Sequence, residues 1–106
     1  TLTIENGKIV TVTGKKAKEL EAVLDHIGDP ATRVLAEFGI GLNPKAKLCG
    51  SMLEDEGCLG TVHAGFGSNA TIGGNNQVPF HLDMITRNVV IEVDGIPLMD
   101  KGKLLL

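Results

Sequence analysis

Leu59-Gly60-Thr61-Val62-His63-Ala64-Gly65-Phe66 decides how the rest of the chain is read. It is apolar and glycine-rich, bounded by turn signals, and predicts a strand. Working outward toward the C-terminus, Ser68 to Gln77 is polar and contains glycine, which predicts a loop. Phe80 to Ile85 is a second short strand. Asn88 to Val93 and Ile96 to Met99 form a closing hairpin around Asp94-Gly95, a dipeptide suited to positive φ. Toward the N-terminus, Phe38-Gly39-Ile40-Gly41-Leu42 alternates large residues with glycine, as in a strand closely approached by another backbone or a ligand. Asn43-Pro44 ends it. Ser51 to Glu56 predicts one helical turn, with Ser51 as cap and Glu54 as its capping-box partner.

The first fourteen residues read as a hairpin turned at Asn6-Gly7. From Lys15 to Ile27 the period changes, with Leu20, Val23, Leu24 and Ile27 forming the apolar stripe of a helix that Gly28 stops. Asp29-Pro30 opens a second, short helix with Asp29 as N-cap, and Ala31, Val34 and Leu35 are expected to face the core. The fold class is therefore α+β: a strand-rich body of mixed or antiparallel sheet, with two helices in the N-terminal half. A single domain over residues 1–106 is expected. Its parts are a hairpin (1–14), the two helices (15–36) and a strand-rich part that bears metal ligands (37–106).

The composition narrows the function. The 106 residues include 14 glycines and are 42% hydrophobic and 22% charged, an ordinary globular balance. The aromatics are three phenylalanines, so base-stacking platforms are nearly excluded. A net charge of −3, with no basic run beyond Lys15-Lys16, argues against nucleic acid as a partner. No apolar run is long enough to span a membrane, and no secretory signal is visible. Cys49 and Cys58 are expected to be free thiols, which suits a reducing cytoplasm. The start at Thr1 suggests a piece of a longer protein.

His81-Leu82-Asp83 carries the sharpest chemical signal. On a strand, residues i and i+2 share a face, so an imidazole and a carboxylate point together, as two ligands of one divalent metal would. A surface pair is the bland alternative. His63 lies in an apolar strand, where each ring nitrogen needs a partner: a metal on one side and a carbonyl or carboxylate on the other, or backbone groups alone. Glu37 precedes an apolar strand. A solvated helix C-terminus is its ordinary reading, although the helix dipole disfavours a carboxylate there. Two histidines and two carboxylates suit zinc, manganese, cobalt or iron(II). Glu54-Asp55-Glu56 reads as a solvated turn, with Glu54 and Glu56 as weaker candidates for a general base. His26 belongs to the polar side of the first helix.

Four ordered blocks carry a family resemblance: Leu35 to Pro44, Leu53 to Glu56, Gly60 to Gly67 and Pro79 to Asp83. Together they resemble the C-terminal part of the aminopeptidase T family, the thermophilic leucyl-aminopeptidase-like metalloproteases. The resemblance implies the C-terminal domain of a larger, cytoplasmic metallo-aminopeptidase. It would hydrolyse N-terminal residues from peptides at a co-catalytic metal site, with zinc the leading ion. Metal ligands carried over by motif are Glu37, His63, His81 and Asp83. The family's first glutamate falls upstream of Thr1, so the 106-residue chain alone is expected to be inactive. Expected partners are a peptide substrate, the missing N-terminal domain and a second copy of the chain. A homodimer would cover uncovered strand edges and the apolar end Leu104-Leu105-Leu106. Two alternatives remain: a non-catalytic binding or assembly module of the same fold, and an iron(II) ring-cleaving dioxygenase-like site. In the latter, His63, His81 and Asp83 alone would hold one metal.

Overall fold

The computed structural model describes residues 1–105. Strands β1 (Leu2–Glu5) and β2 (Lys8–Val12) pair antiparallel across Asn6 and Gly7, whose φ values of 52° and 75° make the expected tight turn. Helix α1 (Ala17–Asp25) follows, and Gly28 closes its exit at φ 77°. The chain then passes through a 3-10 turn (Pro30–Arg33), β3 (Leu35–Ile40), the single helical turn α2 (Met52–Asp55) and β4 (Thr61–Gly67). A second 3-10 turn (Ala70–Ile72) leads to β5 (His81–Arg87), β6 (Ile91–Val93), β7 (Ile96–Asp100) and β8 (Lys103–Leu104). The sheets have the orders β1-β2, β3-β4-β5 and β6-β7-β8. The strand-rich α+β architecture is the expected one. Among the described residues, no helix is long and apolar enough to cross a membrane.

The chain resolves into two compact units, each assembled from two segments. The first comprises Thr1–Glu37 and Gly65–Asp83. Its enclosed side chains are Ile9, Leu24, Thr32, Phe66 and Val78. The predicted stripe on α1 is narrower than expected: Leu24 is buried, while Val23 and Ile27 are exposed. The second predicted helix is a 3-10 turn, capped by the Asp29 carboxylate accepting from the Ala31 N–H at 2.8 Å. Ala31, Val34 and Leu35 are only half-buried, because the chain has already become extended at Val34. Thr32 is enclosed instead. Its hydroxyl faces the carbonyls of Leu24 at 2.7 Å and Asp29 at 3.1 Å, which satisfies the polar group that burial strands.

The second unit comprises residues 38–64 and the chain from Met84 onward. Met99 and Thr61 are buried in it. The β6-β7-β8 meander turns first at Asp94-Gly95, as expected, and again at Lys101-Gly102. Leu104 pairs with Met99 in that meander, so this part of the apolar end has a strand partner; Leu106 lies outside the described residues. Gly41 has no room for a side chain, since a Cβ there would lie 2.0 Å from the Cys58 carbonyl oxygen. That is the close backbone approach its sequence pattern implies. The proposed capping box is replaced by another arrangement. Glu54 accepts from the Lys47 N–H, and Asp55 accepts from the Cys49 and Gly50 N–H groups. The pair thus ties down residues 47–50.

Candidate metal centre

Three side chains named from the sequence meet within the first unit. Glu37 comes from β3, and His81 and Asp83 come from β5. Each offers one ligand atom, and these atoms lie within 4.8 Å of one another. Glu37 is therefore inside a strand rather than at a helix end, which removes the objection that the helix dipole raised. His81 and Asp83 share a face of β5 with Leu82 between them, as the two-residue period requires.

Backbone contacts fix the imidazole. His81 Nδ1 lies 2.9 Å from the Ser68 carbonyl oxygen. A carbonyl only accepts, so Nδ1 carries a proton and donates it. Nε2 faces Asp83 Oδ1 at 2.9 Å. The Ser68 carbonyl, followed by the negative charge of Asp83, holds this imidazole above its ordinary range, while burial acts in the opposite direction. In the neutral ring, the proton on Nδ1 leaves the Nε2 lone pair directed at the carboxylates. A metal-binding histidine needs this orientation, with one nitrogen anchored to backbone and the other offered to the ion.

Gly65 makes room for the group. A Cβ there would lie 2.7 Å from both Asp83 Oδ1 and Glu37 Cγ, and 3.1 Å from His81 Cε1. The donors thus crowd the place a side chain would take. A cavity of about 480 Å³ opens beside them, with Glu37 and His81 joined by the Ser68 and Thr71 positions and the apolar Val78 and Phe80. The size suits a small molecule.

His63 belongs to the second unit, where its ring lies over Gly39. A Cβ on Gly39 would fall 2.0 Å from His63 Cε1, so the glycine of that alternating strand serves the histidine. Glu56 is half-buried just after α2, and Glu54 is engaged with Lys47 and with the Cys49 thiol at 3.3 Å. His26 is exposed, and Cys49 and Cys58 are free thiols, as the sequence predicts. Sequence reasoning missed Ser68, which acts through its backbone and leaves no side-chain signal. It also missed Gly65, whose signal was available: a glycine two residues after a candidate ligand on one strand face. The chemistry of the donor set, imidazole with carboxylates, suits a divalent metal.

Comparison with known proteins corrects the functional reading. The model of the NicX family, 2,5-dihydroxypyridine 5,6-dioxygenase, matches residues 1–106. A 2,5-dihydroxypyridine 5,6-dioxygenase of Pseudomonas putida KT2440 is 31% identical over 104 residues, covering 89% of this chain and 30% of that protein. The solved structure of a 2,5-dihydroxypyridine dioxygenase from the same organism superimposes with a TM-score of 0.77 at 27% identity. It covers 98% of this chain and 33% of the other. The chain thus spans about a third of the length of these relatives. The aminopeptidase T resemblance is overturned. With it go the metallo-aminopeptidase parent, the hydrolase and protease activity and the peptide substrate. The physical reason is that the matching blocks carry histidine and carboxylate side chains of a kind that suits a divalent metal. Different chemistries can be built on such a set. The chain belongs to the 2,5-dihydroxypyridine 5,6-dioxygenase family.

Proposed function

We propose that this chain is the metal-holding part of an iron(II)-dependent dioxygenase that opens a dihydroxylated pyridine ring. The observation that carries the reading is the His81 anchor. One ring nitrogen is committed to the Ser68 carbonyl and the other is aimed at Asp83, with Glu37 in reach. Two imidazoles and one carboxylate suffice for a mononuclear iron(II) oxygenase. His63, His81 and Asp83 would form that set. In the sequence, Glu37 counts among the ligands both by its residue setting and by the peptidase resemblance. In a dioxygenase this carboxylate would instead accept the proton of a bound ring hydroxyl.

Iron(II) bound there would offer open coordination positions at which dioxygen is activated and would relay electrons to it from the dihydroxylated ring, which is itself the reductant. The protein's own part is positional. Val78 and Phe80 would hold a flat ring by its apolar surface, and the Thr71 hydroxyl would meet a polar substituent. Free Cys49 and Cys58 support a reducing cytoplasmic setting, which also favours iron in its ferrous state.

The test is oxygen uptake by the full-length protein with iron(II) and 2,5-dihydroxypyridine, beside leucine-p-nitroanilide as a peptidase substrate. Oxygen uptake with the pyridine and no release of p-nitroaniline from the anilide are expected, and no uptake with the pyridine contradicts the proposal. Glu37→Gln is expected to retain iron while losing turnover. Loss of iron in that variant would make Glu37 a ligand.

A further inference from the structure

Asn69 and Asn76 fold the 68–77 loop onto itself. The Asn76 N–H donates to Asn69 Oδ1 at 3.0 Å, and the Asn69 N–H donates to the Asn76 carbonyl at 3.1 Å. Their side-chain amides reach away from the loop. Asn69 Nδ2 donates to the Ala36 carbonyl at 3.4 Å. Asn76 Nδ2 donates to the Ala31 carbonyl at 2.9 Å and the Gly67 carbonyl at 2.6 Å. An amide nitrogen carries two protons, and Asn76 commits both to backbone.

The clamped carbonyls occupy informative places. Ala36 immediately precedes Glu37. Gly67 immediately precedes Ser68, whose own carbonyl accepts from His81 Nδ1. Gly74 gives up its side-chain space to the clamp, because a Cβ there would lie 2.1 Å from Asn69 Cγ. Both asparagines are half-buried, although the loop is otherwise rich in exposed residues.

We propose that Asn69 and Asn76 are positioning residues for the candidate metal site: their amides clamp the backbone on either side of it, fixing the Ser68 carbonyl that orients the donor His81 and the segment of β3 that presents Glu37. The proposal rests on reading His81 as a metal donor. A donor set has to be held to within about half an ångström by the groups behind it. Removing such a supporting group costs roughly 10- to 100-fold in metal affinity. Asn76→Ala releases the Ala31 and Gly67 carbonyls, and Asn69→Ala releases Ala36. Asn76→Asp keeps the size but cannot donate. Gly74→Ala pushes the Asn69 side chain out of place without altering either amide.

The experiment is titration of the metal-stripped full-length protein with cobalt(II), read by its visible absorption bands. Far-ultraviolet circular dichroism and unfolding midpoints are recorded on the same samples. All four variants are expected to bind cobalt about 10- to 100-fold more weakly, with altered bands, while retaining the wild-type dichroism. A purely structural role would lower the midpoint and leave affinity and bands of the folded protein unchanged; that result overturns the clamp alone. Wild-type cobalt binding that survives His81→Ala undiminished overturns the metal reading and the clamp with it.

Discussion

Gly65 is the residue at which strand geometry becomes chemistry. Glu37, His81 and Asp83 approach one another over the spot where its side chain would stand. Gly65→Ala would put a methyl carbon 2.7 Å from two of these side chains, below any ordinary contact distance, so the donors would have to separate. Metal affinity of the full-length protein is expected to fall at least 10-fold, at a small cost in stability, as measured by metal titration. Unchanged affinity would mean that His81 and Asp83 do not act as one donor set. The His-x-Asp pair was legible because a strand's two-residue period is rigid. The tautomer of His81 was not, because it is set by a carbonyl thirteen positions away in sequence.

At the scale of the element, legibility followed turn chemistry. Asn6-Gly7, Gly28 and Asp94-Gly95 each adopt the positive φ that their composition predicts, and the two hairpins and the first helix that they delimit were found. Strand β8 was missed because its turn begins with Lys101 at φ 48°, in a residue type that carries no turn signal. Thr32 was missed because helical periodicity assigns a polar residue to the surface, whereas the 3-10 turn inverts that choice. Its hydroxyl answers two carbonyls in a place closed to water. Thr32→Val would keep the shape and remove the donor, at a cost of about 1–3 kcal/mol in urea unfolding, and Thr32→Ser would recover most of it. Equal stability of Thr32→Val and wild type would show that the hydroxyl contributes nothing. The polar 68–77 stretch was read as a plain loop. Two asparagines flanking Gly73-Gly74 were the sign of an internally bonded one.

For the whole molecule, the sequence pointed to a metal-binding chemistry before it pointed to a reaction. Imidazoles and carboxylates on glycine-lined strands suit a divalent ion, and these features carried the aminopeptidase reading. What such an ion does depends on how many are held and which positions stay open. The chain spans about a third of the length of the dioxygenases it matches. Metal stoichiometry of the anaerobically purified full-length protein therefore tests the account most directly. One iron per chain, lost on substitution of His63, His81 or Asp83 by alanine, is the predicted result. Two ions per chain, or one ion that survives all three substitutions, would contradict it.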